Sequence, residues 1–349
     1  MRSRRLLALL TAIAAMTVTL LGAPPAAAAG RGSTIIVALG DSAASGEGAG
    51  DYEPGTRGEN GDWCHRSVHA YVHGTSLAEK SVNLACSGAT SADVGLGAEP
   101  HYTERSQAQR LAKIAARYRV TTVIVQVGAN DDAALVATGV ACIRALLDPR
   151  EPPCRDTIGP LVPERMAATA PKVEAAVRDV REAMGSAGYS DEHYDLVLAS
   201  YASPFTEKMV PLHGLRGCPY GRPDAEWSRT VLFPALSESL RGVAERTGAR
   251  FLDLVRATEG YEACSRTPWT QEWQRRLTVN AQALVYGGLD AIGYHIAQES
   301  FHPNATGHAE MARCIDEFVR SGAASSACVV GADGHLQLDD AAPVPAPAA

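Results

Sequence analysis

Four short loops of this 349-residue chain carry side chains that could together transfer an acyl group. They are Gly40-Asp41-Ser42, Cys86-Ser87-Gly88, Gly128-Ala129-Asn130-Asp131 and Glu299-Ser300-Phe301-His302. A serine hydroxyl is a weak nucleophile until a base takes its proton, and His302 is the candidate base for Ser42. The tetrahedral adduct of acyl transfer carries an oxyanion, which needs donors already aimed at it. The backbone N–H groups of Ser42 and Gly88 and the side-chain amide of Asn130 are the candidates. A bare Cα at Gly88 would let the backbone approach the substrate closely. Singly, each signal is common: Gly-Asp-Ser makes turns, and Asn after a strand caps helices. Their joint order along the chain gives them weight.

What must position these loops is a set of buried strands. Thr34–Leu39, Ser81–Ala85, Thr121–Val127, Tyr194–Ala199 and Arg250–Leu254 are short apolar runs without clean alternation, as expected of strands covered on both faces. Helical patterns lie between and beyond them, over Ser106–Arg119, Pro163–Ser186, Glu226–Thr247, Gln271–Leu289 and Ala305–Arg320. Strands alternating with helices predict an α/β fold, a mostly parallel five-stranded sheet with helices on both sides. In such sheets ligands gather outside the carboxyl ends of the strands. Three of the loops directly follow a strand, and the fourth directly precedes the last helix.

Rival readings of the same residues are weaker. His295 and His308 compete with His302 as bases, and both read as structural. Asn304 reads as the cap of the last helix. Asp41, Asp131 and Asp132 could suggest calcium, but Asp41 and Asp131 are better placed to hydrogen-bond the loops that carry Ser42 and Asn130. No G-x-S-x-G elbow and no H-E-x-x-H occur, and G-E-G-A-G lacks dinucleotide-site spacing. No metal or cofactor is expected.

The chain begins with Arg2, Arg4 and Arg5, an apolar segment from Leu6 to Leu21, and Ala-Pro-Pro-Ala-Ala-Ala-Ala. That order reads as a signal peptide over residues 1–29, for Sec or Tat export, leaving a secreted protein without a stable membrane anchor. About 320 residues remain, enough for one large domain, read as residues 30–332 with a disordered tail over 333–349. Losing the three leader arginines takes the formal net charge from −7 to −10, a poor balance for nucleic-acid binding. All eight cysteines lie beyond the leader. An even number outside the cytoplasm reads as disulfides, with neighbour pairing preferred: Cys64–Cys86, Cys142–Cys154, Cys218–Cys264 and Cys314–Cys328. The protein is expected to be a monomer.

With these blocks in order, the chain resembles the SGNH hydrolases, the GDSL esterase and lipase superfamily, from about Ile35 to His308. Gly40-Asp41-Ser42, Gly88, Gly128-Ala129-Asn130-Asp131 and His302 stand in its four blocks. The stretches G-E-G-A-G-D-Y, C-H-R-S and F-H-P-N-A-T-G-H look like secreted actinobacterial members. The resemblance implies a flavodoxin-like three-layer α/β/α sandwich, ester hydrolysis without a metal, and three disulfides, with Cys314–Cys328 an extra pair. One position departs: the last block usually reads D-x-x-H, and here Glu299 stands first. Either Glu299 or the main-chain carbonyl of Ser300 would orient His302, and the carbonyl is preferred because a longer acid aims differently. The expected activity is hydrolysis of small-molecule or lipid acyl esters. The alternatives are carbohydrate O-deacetylation, with Trp63, Trp227, Trp269 and Trp273 as candidate cleft aromatics, or a catalytically quiet binding module.

Overall fold

The computed structural model describes residues 32–97, 99–132 and 135–339. The leader read over residues 1–29 and the tail beyond Asp339 lie outside the described residues.

The first strand shows why the sheet is buried on both faces. In β1 (Thr34–Gly40), Ile35, Val37 and Leu39 face one core, with Leu111, Val173, Val177 and Leu240 of the covering helices. Ile36 and Ala38 face the other, with Tyr71, Met311, Ile315 and Phe318. The alternation is real, but both sets are apolar because both sides are covered. Helices Gln107–Ala115, Val162–Ser186 and Phe233–Thr247 pack on the first face, and the closing helix Ala305–Ser321 packs on the second.

Beside β1 run β2 (Lys80–Asn83), β3 (Arg119–Gln126), β4 (Asp195–Ala199), β5 (Arg250–Asp253), β6 (Ser325–Val330) and β7 (Leu336–Asp339). Their order is β2-β1-β3-β4-β5-β6-β7, parallel from β2 through β6, with β7 antiparallel on β6. The α/β class agrees with the sequence reading. The strand number does not: seven strands form instead of five, because β6 and β7 add a hairpin at the sheet edge. They bury little beyond Cys328 and Leu336, so neither carries a strong apolar pattern. The ordered fold therefore runs to Asp339, and the expected boundary at residue 332 cuts through the hairpin.

A second correction concerns Gln271–Leu289. This stretch is a 3-10 turn (Trp269–Gln271), an irregular run, and a short helix (Ala283–Gly287). Its backbone is taken up by the segment around His302: Phe301 N–H donates to the Arg275 carbonyl (3.1 Å), Arg275 N–H to the His302 carbonyl (2.8 Å), and Asn304 N–H to the Trp273 carbonyl (2.8 Å). Those tertiary bonds override the helical pattern. The expected helix over Glu226–Thr247 forms from Arg222, with a π turn at Ser228–Leu232. The four disulfides join the pairs that neighbour pairing anticipates. Cys314–Cys328 ties the closing helix to β6, and Cys64–Cys86 ties the loop after β1 to the loop after β2.

Candidate active site

Ser42 opens a one-turn helix, Ser42–Ser45, at the carboxyl end of β1. The chain reverses there because Gly40 adopts φ +141°, and a Cβ at that position would lie 2.0 Å from the Gln126 carbonyl oxygen of β3. Only glycine allows the two backbones this close. Buried Gln107 clamps Gly40 at two points, accepting from its N–H at 2.7 Å and donating to its carbonyl at 2.8 Å. Asp41 caps the helix through Ala43 N–H (3.1 Å) and accepts from the Tyr201 hydroxyl at 2.5 Å. Tyr201 in turn accepts from Ala129 N–H at 3.2 Å, so the Ser42 and Asn130 loops share one buried chain of bonds. Burial pushes the Asp41 carboxyl up to about 7, against the lowering bond from Tyr201.

His302 arrives from the other end of the sequence. Its Nε2 lies 2.7 Å from Ser42 Oγ and its Nδ1 lies 3.1 Å from the Ser300 carbonyl oxygen. A carbonyl can only accept, so Nδ1 carries the proton and Nε2 offers its lone pair to the hydroxyl. Phe301 makes this turn possible with φ +61°, a conformation costing a non-glycine residue about 1–2 kcal/mol. Its ring is held against Phe205 and Tyr220, at centroid distances of 5.4 and 5.8 Å. Burial lowers the His302 pKa from its ordinary value, which keeps the imidazole neutral near pH 7.

The remaining sequence candidates have the following partners. Asn130 donates through Nδ2 to the Ala89 carbonyl (3.0 Å), which joins its turn to the residue after Gly88. Asp131 accepts from the Ser91 N–H (3.0 Å) and hydroxyl (2.6 Å), bracing the same two loops. The Glu299 carboxylate accepts from Asn280 Nδ2 at 2.6 Å, while the Ser300 carbonyl occupies the position facing Nδ1. His295 stacks on Trp63 with ring centroids 4.3 Å apart and bonds Gln298. His308 is fully buried against Tyr71 N–H, and burial takes its pKa down to about 3. Asn304 caps the closing helix through Gly307 N–H (3.0 Å). Asp62, Cys64 and Glu104 come together, but Cys64 is disulfide-bonded and Glu104 pairs with Arg66 and Arg110.

Ser42 and His302 open onto a cavity of about 140 Å³ with mostly apolar walls, among them Pro204, Phe233, Leu236, Phe301 and Met311. In comparison with known proteins, residues 38–310 match the GDSL-like Lipase/Acylhydrolase family. The chain belongs to that family. As a GDSL-like acylhydrolase it is a carboxylic-ester hydrolase. It is 25% identical over 281 residues to Lipase 2 of Streptomyces coelicolor, covering 79% of this chain and 82% of that protein. Its fold is similar to that of phospholipase A1 from Streptomyces albidoflavus, with a TM-score of 0.53 at 20% identity over 84% of this chain and 100% of the other. The extracellular lipase from Streptomyces rimosus gives a TM-score of 0.51 at 21% identity, over 83% and 100%.

Several residues of this GDSL-like hydrolase's site went unnoticed in the sequence. Gln107 and Tyr201 are ordinary helix and post-strand residues until the fold brings them to Gly40 and Asp41, 67 and 160 positions away. Glu47 and His65 form a buried pair at 2.9 Å beside the same loops. Only Glu47 had a signal, a carboxylate between two glycines directly after the nucleophile turn.

Proposed function

We propose that this protein is a secreted serine esterase acting on lipid acyl esters. Ser42 Oγ attacks the acyl carbon while His302 Nε2 takes its proton. The oxyanion is received by the N–H groups of Ser42 and Gly88 and by Asn130 Nδ2. Collapse of the adduct expels the alcohol, protonated by His302, and leaves an acyl-Ser42 ester. Water, deprotonated by the same imidazole, then releases the acid. The observation that carries this reading is the 2.7 Å contact between Ser42 Oγ and His302 Nε2, with Nδ1 held by the Ser300 carbonyl. His302 acts as base only when neutral, and burial lowers its pKa. The acid limb of kcat/KM is therefore expected below pH 6.5, with activity maintained above it.

The lipid choice rests on the cavity and its surroundings. Its apolar wall suits an acyl chain, and the segment Leu277–Tyr294 beside the His302 turn exposes Val279, Val285, Leu289, Ile292 and Tyr294. Asp290 is the one charged residue in that segment, and it accepts from Trp63 Nε1 at 2.7 Å. A polysaccharide site would call for aromatic platforms beside the nucleophile, yet Trp63 and Trp273 are buried, Trp227 is half-buried, and neither it nor the exposed Trp269 lines the cavity at Ser42. Secretion is supported by the leader-like N-terminus and the four disulfides. The test is the p-nitrophenyl ester series from acetate to palmitate, run on wild type and Ser42→Ala. Activity rising beyond acetate and falling at least about 10⁴-fold in the variant is expected. A steep preference for acetate would move the assignment to deacetylation, and an active Ser42→Ala would remove the mechanism.

A further inference from the structure

Glu47 is a buried carboxylate that the mechanism above leaves unused. It lies in the loop after the Ser42 helix with 0% exposure, and its N–H donates to the Ser42 carbonyl at 3.1 Å. Oε1 accepts from His65 Nδ1 (2.9 Å) and from the Tyr52 hydroxyl (3.2 Å). Oε2 accepts from the Ser87 hydroxyl (2.5 Å) and from Gln298 Nε2 (2.7 Å). Ser87 precedes Gly88, and Gln298 begins the turn that carries His302. One side chain thus touches the nucleophile turn, the Gly88 loop and the His302 turn.

The group is also charged. Burial by itself would raise its pKa, but His65 and His302 beside it and the Ser87 bond hold it at about 2. The same carboxylate, 2.9 Å from His65 Nδ1, raises the His65 pKa against burial. Burial depresses His302, and Glu47 is the foremost influence in the opposite direction, ahead of the Ser300 carbonyl. The residue after Glu47 packs on His302 as well: a Cβ on Gly48 would stand 3.0 Å from His302 Cβ.

We propose that Glu47 is a positioning residue whose negative charge stabilises the His302 imidazolium formed as Ser42 attacks. It does so in place of a carboxylate on Nδ1, while its bonds to Ser87 and Gln298 keep the oxyanion loop and the base turn in register. The other groups facing His302 fill this role less well. Glu299, on its own turn, is engaged by Asn280, and His308, from the closing helix, is held neutral by burial. Around Glu47 stand His65, Tyr52 and Arg275, whose guanidinium donates to the Gly48 carbonyl at 2.6 Å.

The inference rests on His302 being the base, and the experiment separates the two claims. kcat/KM and kcat are measured against pH with p-nitrophenyl butyrate for wild type, Glu47→Gln and Glu47→Asp. Gln keeps the shape and an acceptor oxygen but removes the charge. Its acid limb is expected to move down by about one pH unit, with kcat falling about tenfold. Asp keeps the charge, so its limb is expected to stay at the wild-type position while kcat drops. A limb unmoved in folded Glu47→Gln overturns the proposal, since a purely structural role would lower activity without moving it. Should the Gln variant fail to fold, the Asp variant carries the test, and a limb displaced by a full unit there overturns it. A wild-type profile with no acid limb would instead remove His302 as the base.

Discussion

Ser42 and His302 meet at 2.7 Å, yet they are held by unlike kinds of structure. The serine stands at the end of a strand, fixed by backbone bonds to β3 and by the two-point clamp of Gln107 on Gly40. The histidine stands on an irregular turn with no strand beneath it. It is held by side chains and backbone from remote segments: Gln298 to Glu47, Arg275 to Gly48, Asn280 to Glu299, and the ladder-like bonds around Arg275. A sheet end gives the nucleophile its position as a by-product of folding. The base owes its position to contacts that do little else. Damage to the first half should therefore unfold the protein, and damage to the second should leave it folded and slow.

The widest break of this contrast comes from two glycine-to-alanine changes. At Gly40 the new methyl would overlap the Gln126 carbonyl oxygen at 2.0 Å, in a conformation that alanine resists. Thermal or urea unfolding of Gly40→Ala is expected to show at least about 3 kcal/mol of lost stability, with little soluble active protein. At Gly48, with φ +83°, the methyl would press on His302 Cβ at 3.0 Å and the Pro303 carbonyl at 2.9 Å. The nearest atom is backbone, so the turn carrying His302 and Pro303 must itself move, but that turn lies outside the strands of the sheet. Gly48→Ala is expected to stay folded, with a loss of about 1–2 kcal/mol, while kcat falls about a hundredfold because the base is displaced. Equal losses of stability in the two variants would erase the distinction.

The same contrast explains what could be read from the amino-acid sequence. β1, β3 and β4 are legible because Ile35-Ile36-Val37, Val123-Ile124-Val125 and Leu196-Val197-Leu198 are apolar on both faces. A polar block following such a run marks the sheet edge, so Ser42 and Asn130 could be placed early. The segment from Gln271 to Leu289 was illegible because its backbone bonds depend on a turn more than twenty residues further on. Its residues show a helical pattern while local bonds are considered alone. The β6–β7 hairpin escaped because an edge strand needs only one or two buried residues, here Cys328 and Leu336. Glu47 was visible as a residue, but its fourfold engagement joins positions 5 to 251 apart, which no local pattern encodes.

The smallest effect sharpens the comparison most. In a triad the carboxylate on Nδ1 fixes the tautomer and the ring, and in a well-studied case its loss lowers turnover about 10⁴-fold. Here the Ser300 carbonyl accepts from Nδ1 at 3.1 Å, and Glu299 bonds Asn280 at 2.6 Å. Removing the Glu299 carboxylate leaves the carbonyl in place, because that carbonyl is set by the Phe301 turn and by the Ser300 hydroxyl, which accepts from Thr278 N–H at 3.0 Å. Glu299→Ala is therefore expected to lower kcat less than about tenfold, through a looser Asn280 and not through the imidazole tautomer. Assayed beside Gly48→Ala with the same ester, it should be the milder variant. A hundredfold or larger loss at Glu299 would mean that the carboxylate orients His302, and the base turn would then depend on a side chain as a triad does.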